Sequence, residues 1–315
     1  VWALVIGLVV GNIFKIPKLL KGAIRTELYI KTGLVLLGAS ILFNRMLALG
    51  VMGVGMSWIA TPIVILLTYW FSQKILKMHN QKSFAITIAS ALSVCGVSAA
   101  IASGTASNAK KEDISFTISI SLIITVIMMV GMPALIKLVG INPIVGGAWI
   151  GGTVDSTGAV VASGAMLGEK AMEVASLVKM IQNILIGIIA FVIAVIWAVV
   201  DSKESKPGVS VGVKEIWVRM PKFILGFIGT SLLFSFIVPK ATVDSSLPII
   251  NGFRELFFTF AFVSIGLESN FRDIKGTIKA GNPLTLFLVG QLLNIVIALG
   301  AAYIFFSGTF FNLPI

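Results

Sequence analysis

Asp155 is the residue in this sequence best placed to do chemistry. It lies in the stretch 147–164, Gly-Ala-Trp-Ile-Gly-Gly-Thr-Val-Asp-Ser-Thr-Gly-Ala-Val-Val-Ala-Ser-Gly. That stretch is apolar enough for a bilayer, yet it carries glycines, hydroxyls and a carboxylate where a plain spanning helix carries leucine. An ionisable group inside such a segment is costly and marks a functional site by default. Dense glycine loosens a helix, and the N–H and C=O groups freed by unwinding must be met by protein or by a wet cavity. The chemistry this suits is reversible binding of an ion or a small polar substrate. Asp155 would hold a proton or a sodium ion, or shape the site beside a substrate. The alternative is a carboxylate capping the half-helix that starts near Thr157. Thr153, Ser156 and Thr157 offer hydroxyls to a ligand, or else bond back to their own helix.

A second break, Ser93-Val94-Cys95-Gly96, precedes Ser98-Ala99-Ala100-Ile101-Ala102-Ser103-Gly104. Ser93, Gly96 and Ser98 stand opposite Asp155 in this pattern. Two half-helix N-termini meeting near the membrane centre would present unpaired N–H groups and positive dipole ends, which favour an anion. Lys179, Gln182 and Asn183 share one helical face. Lys179 would pair with Asp155 or attract an anion; alternatively it snorkels, or pairs with Glu173 or Glu169. Glu27 and Glu255 stand beside Arg25 and Arg254 and read as interfacial ion pairs. Gln291 and Asn294 read as interhelical hydrogen-bond donors and acceptors.

These residues need a membrane scaffold to position them. The 315-residue chain is 57% hydrophobic and 12% charged, against about 25% charged in a soluble domain. Its mean hydropathy is +1.03. The net charge of +11 does not point to nucleic acid, because the basic residues lie between long apolar runs, as in cytoplasmic loops. One cysteine, Cys95, builds neither an internal disulfide nor a zinc site, and His79 sits in a polar loop. The chain opens inside the apolar run 1–14, which suggests a segment upstream of Val1.

About ten membrane segments are expected, near 1–14, 30–49, 51–76, 83–107, 114–138, 145–166, 171–200, 217–238, 248–268 and 283–307. A short interfacial helix is expected over 17–28. Basic connections at 15–31, 74–82, 201–222 and 268–282 alternate with nearly neutral ones at 108–113, 167–170 and 239–247, which places the basic set in the cytoplasm. The whole chain, 1–315, reads as one transmembrane transporter domain with approximate halves 1–138 and 139–315 and a cytoplasmic linker near 201–216.

Two internal similarities support this. Glu27 and Gly38 match Glu255 and Gly266, each 228 residues on, in segments that run in opposite directions; this is the mark of an inverted repeat. Residues 98–104 match 158–164 at a shift of 60, but the two segments run parallel unless one is a re-entrant hairpin. No HExxH, GxSxG, phosphate-binding loop or intramembrane aspartate dyad is present, so an enzyme is not expected.

Lys31-Thr32-Gly33-Leu34-Val35-Leu36-Leu37-Gly38-Ala39, Ser93-Val94-Cys95-Gly96-Val97-Ser98-Ala99, the stretch 151–164, Val178-Lys179 and Ser264-Ile265-Gly266-Leu267 resemble, in order, a bacterial inner-membrane family that carries the name sulfate exporter. The resemblance implies kinship with sodium–proton antiporters and bile-acid sodium symporters. It also implies an all-α architecture of inverted repeats, with a panel domain, a core domain and discontinuous helices crossing at mid-membrane. The chain departs from the family pattern at Val154-Asp155-Ser156-Thr157-Gly158-Ala159, where members carry Ile-His-Glu-Thr-Ala-Gln, and at Gln182, where they carry Arg.

The expectation is a multi-pass inner-membrane secondary transporter that exports a small anion such as sulfate or an organosulfonate by alternating access. Asp155, Thr153, Ser156, Thr157, Ser93, Gly96, Ser98 and Lys179 would form its site. No cofactor and no structural metal are expected; sodium or a proton is the coupling ion, and a homodimer is open to such a carrier. The rivals are a sodium-coupled organic-anion symporter, a passive anion channel and a non-transporting receptor.

Overall fold

The computed structural model describes residues 2–14, 22–41, 43–200, 222–268 and 281–311. Among these the chain is helical throughout, with no strand. In order come α1 (Trp2–Ile13), α2 (Thr26–Ser40), α3 (Phe43–Lys74), a 3-10 turn (His79–Gln81), α4 (Lys82–Ser93), α5 (Gly96–Ala106), α6 (Lys111–Val139), α7 (Pro143–Thr153), α8 (Thr157–Leu167), α9 (Glu169–Val200), α10 (Phe223–Leu232), α11 (Lys240–Glu268) and α12 (Asn282–Phe306). α10 runs on into a π-helical turn, Leu233–Ile237. Five stretches are long and apolar enough to cross a membrane: Met46–Lys74, Lys111–Val139, Glu169–Trp197, Lys240–Glu268 and Asn282–Phe306. The expected linker at 201–216, and residues 17–21 of the expected interfacial helix, lie outside the described residues.

Each interrupted segment reverses at its break, which corrects the expected crossing of broken helices. Ser83 Oγ, at the start of α4, donates to the carbonyl of Ser107, just past the end of α5 (2.6 Å). A Cβ at Gly104 would fall 3.3 Å from Thr87 Oγ1. α4 and α5 are therefore the arms of a hairpin with Val94-Cys95 at its tip. α7 and α8 form another: a Cβ at Gly146, near the start of α7, would fall 3.2 Å from Leu167 at the end of α8. The physical reason lies at the breaks. Val94, Cys95, Val154 and Ser156 leave helical dihedrals and the chain turns back there, while Gly147, Gly151 and Gly164 let the second hairpin pack closely on α9.

The hairpins reach α9 from opposite ends. At the base of the first, Trp197 Nε1 near the end of α9 donates to Ser83 Oγ (3.1 Å). At the base of the second, Gly147 lies against Ala171 near the start of α9, and further along Gly151 lies against Ala175 and Val178. The reversal also returns the connection at 107–110 to the side of residues 75–81. Lys110 and Lys111 thus join the basic loops, whereas the sequence reading put 108–113 on the neutral side.

A further correction concerns the division expected at Gly50. α3 is continuous from Phe43 to Lys74, and the chain turns near Ile41 instead. Two of its glycines serve packing: a Cβ at Gly53 would fall 2.6 Å from Ile181, and one at Gly55 would fall 2.4 Å from Phe305, whereas one at Gly50 would meet nothing within 4 Å.

Two groups of helices can be told apart. α1, α2, α10 and α11 pack on one another, with α11 central between α1 and α2. α3, α9, α12, α6 and the two hairpins form the other group, and α8 provides most of the limited contact between the groups. In the first group Gly7, Gly11 and Gly266 let α1 and α11 touch backbone to backbone; a Cβ at Gly266 would fall 2.5 Å from Leu8 N. Without a hydrophobic drive between helices in lipid, such close approach supplies the association energy. Gly266→Val is expected to lower unfolding stability in detergent by about 2 kcal/mol, the usual cost of overpacking, read from a denaturant titration beside the milder Gly266→Ala.

Candidate functional site

The hairpin tips create an accounting problem. Where α4 and α7 stop, their last carbonyls lose helical partners, and in a membrane interior each must be met by protein. The sequence answers with four long polar side chains on α9 and α12. Asn294 Nδ2 donates to Leu92 O (2.7 Å), Gln182 Nε2 to Ser93 O (2.9 Å) and Lys179 Nζ to Val94 O (2.7 Å). On the other hairpin, Gln182 Nε2 also reaches Gly152 O (3.1 Å), and Gln291 Nε2 reaches Thr153 O (3.1 Å). Gln182 Oε1 accepts from Lys179 Nζ. The two tips are joined directly, Gly96 N donating to Asp155 O at 2.9 Å.

The other ends of the breaks are N-termini, those of α5 and α8. Neither has a side-chain cap: Cys95 and Ser156 occupy the capping positions without such a bond. Both N-termini open on a cavity of about 190 Å³, which holds several waters at about 30 Å³ each. Asp155, Ser156, Thr157 and Ser98 line it, together with Cys95, Ser121, Thr125 and Asn183. Glu27, Ile30, Lys31 and Phe223 close its far wall from the first helix group. The cavity therefore lies in the seam between the groups.

Asp155 is 3% exposed, and its Oδ2 accepts from Ser121 Oγ at 3.3 Å. Asn183 Nδ2 donates to Thr157 Oγ1 (3.1 Å), while the buried Oδ1 of Asn183 has no partner among the described residues. At the mouth Lys31 Nζ pairs with Glu27 Oε2 at 2.6 Å. The arrangement combines two helix N-termini that attract negative charge, the carboxyl group of Asp155, the Glu27–Lys31 pair at the mouth and several neutral oxygens. Among the described residues no cluster of three or more His, Cys, Asp or Glu side chains suits a metal ion.

The other expected site residues are placed differently. Ser93 Oγ and Thr153 Oγ1 bond back to Ala89 O and Trp149 O, both at 2.6 Å, and neither residue lines the cavity. Gly96 holds the tips together, and a Cβ on it would fall 1.8 Å from Ser121 Oγ. Lys179 is 1% exposed and donates to the tip carbonyl of Val94 and to Gln182 Oε1 instead of lining the cavity. Gln291 and Asn294 are the interhelical donors expected. Of the expected ion pairs, Arg25 Nε turns to Gly22 O while Glu27 pairs with Lys31. Arg254 pairs with Glu169 at 2.9 Å instead of Glu255. Ser121 and Thr125 were missed. With Thr117 they recur every four residues on α6 and are all buried, a polar stripe visible in the sequence.

Residues 1–285 match the family described as conserved hypothetical protein 698. A UPF0324 membrane protein of Rhodopirellula baltica, RB9488, is 52% identical over 315 residues, covering 98% of this chain and 58% of the relative. A UPF0324 membrane protein of Nitratidesulfovibrio vulgaris is 49% identical over 314 residues, covering 97% of this chain and 54% of the relative. NE0724 of Nitrosomonas europaea, also a UPF0324 membrane protein, is 32% identical, covering 97% of this chain and 68% of the relative. The chain thus spans little more than half the length of the first two. No solved structure matches it.

Proposed function

The chain belongs to the conserved hypothetical protein 698 family of membrane proteins, and we propose that it is a secondary transporter that exports a small anion, such as sulfate or an organosulfonate, by alternating access. One observation carries the reading: two uncapped half-helix N-termini and the buried Asp155 converge on one cavity, in the seam between two helix groups. Converging N-termini hold an anion without arginine. A seam lets the site open to one side and then the other as the groups shift. On this reading the protein is a carrier and not an enzyme.

The orientation follows from charge. The cavity is walled at Glu27, Lys31 and Phe223, which follow the basic stretches 15–25 and 201–222. The positive-inside rule puts that end in the cytoplasm of an inner-membrane protein. An anion loaded there is driven outward by an inside-negative potential, at about 2.3 kcal/mol per charge per 100 mV. A carboxylate beside a bound anion repels it, so Asp155 is protonated while the anion is held. That proton offsets one charge, and the potential then drives outward only a divalent anion such as sulfate, a monovalent sulfonate leaving down its own gradient.

Ten segments become eight passages and two re-entrant hairpins. A shift of 60 residues carries Lys82–Ser93, Gly96–Ala106 and Lys111–Val139 onto Pro143–Thr153, Thr157–Leu167 and Glu169–Val200 to within two residues. This supports the inverted repeat, because the hairpins approach α9 from opposite ends. A homodimer belongs to the same proposal and is checked by light scattering in detergent.

The test is thermal stability of the purified protein against sulfate, sulfite, methanesulfonate, dicarboxylates and sodium. A bound anion at about 100 times its Kd should stabilise the fold by roughly 2.7 kcal/mol; no shift with any anion at tens of millimolar overturns the anion site. A second reading, a sodium-coupled organic-anion symporter, is favoured by Asn183 Oδ1, which has no partner among the described residues and belongs to a residue lining the same cavity as Asp155. It requires that sodium alone stabilise the protein and that Asp155→Asn remove the effect.

A further inference from the structure

Arg254 lies midway along α11 and is 4% exposed. One of its three guanidinium nitrogens, Nη2, meets Glu169 Oε1 at 2.9 Å. The other two, Nε and Nη1, are buried without a hydrogen-bond partner among the described residues. A guanidinium has donors only and keeps its charge, so what it lacks is acceptor oxygen. Beside it opens a second cavity, of about 470 Å³, with Glu255 and Thr259 on its wall and Met172, Phe258 and Phe262 supplying apolar surface.

This cavity is separate from the one at Asp155. Glu169 and Asn183, one at each, are 14 residues apart on α9, which is about 21 Å of helix. On α11, Arg254 is likewise 14 residues from Glu268, which accepts from Thr26 Oγ1 one residue before Glu27 at the mouth of the first cavity. Both cavities are walled by both helix groups, so they occupy opposite ends of the same seam.

We propose that Arg254 is a second anion-binding site, taking a small organic carboxylate or sulfonate with an apolar body. The anion's oxygens meet Arg254, and its apolar part lies against Phe258, Phe262 and Met172. Glu169 is the displaceable partner: its side chain is 62% exposed and holds Arg254 through a single nitrogen. An arriving anion takes the place of the Glu169 carboxylate on Arg254, and the bond between α9 and α11 across the seam is released. The inference goes beyond the transport reading and does not depend on it, since binding at Arg254 is measurable where no flux is seen.

The experiment is isothermal titration of the full-length purified protein with benzenesulfonate. Arg254→Lys, which keeps the charge and loses the fork, should weaken binding about tenfold. Glu169→Gln, which removes the competing charge and leaves Arg254 in place, should tighten it several-fold. Binding that neither substitution alters overturns the site, as does absence of binding by both the wild type and Glu169→Gln at millimolar benzenesulfonate. If Arg254→Lys does not fold, the Glu169→Gln arm decides alone: tighter binding supports the site and unchanged binding rejects it.

Discussion

Asp155→Asn is expected to abolish anion accumulation driven by a proton gradient, by about a hundredfold or more, while leaving the protein folded. The carboxyl is 3% exposed, borders the cavity, and has one side-chain hydrogen bond, from Ser121. Asparagine has nearly the same shape and still accepts from Ser121 through its amide oxygen, so packing is kept. What is lost is the ability to take up and release a proton. An amide fixed in the neutral form no longer repels a bound anion, so anion-induced thermal stabilisation should persist. Exchange of anion for anion across proteoliposomes should persist too, since it needs only the loaded carrier. Net accumulation driven by a proton gradient should fall to background. A variant that keeps wild-type accumulation would remove Asp155 from the transport cycle.

Gln182→Leu should be the most destabilising single change in the tip region, at about 3 kcal/mol. Gln182 is 2% exposed, and its amide nitrogen serves Ser93 O and Gly152 O, one carbonyl from each hairpin, with Thr61 Oγ1 a longer contact at 3.3 Å. Leucine leaves Gly152 O unmet, leaves Ser93 O only a long contact from Thr61 Oγ1 at 3.5 Å, and removes the oxygen that accepts from Lys179. A buried polar group stripped of its partner costs about 1–3 kcal/mol, and more if charged. Ser176→Ala is the control on the same helix. Its hydroxyl only bonds back to Met172 O, so its loss should cost less than about 0.5 kcal/mol. Chemical denaturation in a mild detergent reads both. A loss under about 1 kcal/mol for Gln182→Leu would mean that the tips are held by other groups.

Much of this was legible in residue types, and much less in residue direction. The two breaks, their glycines and the polar faces of α9 and α12 all stood out, because polar side chains in an apolar run have few reasons to be there. Whether a break reverses the chain did not, since two or three extended residues serve a crossing helix and a hairpin equally well. The similarity at a shift of 60 hinted at the answer: its two copies run parallel as spanning segments and oppose each other only as hairpins. The pairing of Glu27 failed for a local reason. Lys31 is one helical turn away on the same face, whereas Arg25 precedes the helix and points back to Gly22. The role of Lys179 was open among Asp155, an anion, Glu173 and Glu169. None of them was the backbone carbonyl it meets, because a freed carbonyl leaves no mark in the sequence. The GxxxG-like spacing of Gly7 and Gly11 and the four-residue stripe of Thr117, Ser121 and Thr125 were readable and passed unread.

The most direct test of a carrier working through this cavity is counterflow. Proteoliposomes loaded with unlabelled sulfate or methanesulfonate are diluted into a trace of the same labelled anion. A carrier with one alternating site predicts transient, saturable accumulation of label above its equilibrium level, sustained in Asp155→Asn and lost when the internal anion is omitted. Flux that rises linearly with concentration and shows no overshoot would contradict the alternating site and mark a passive pore.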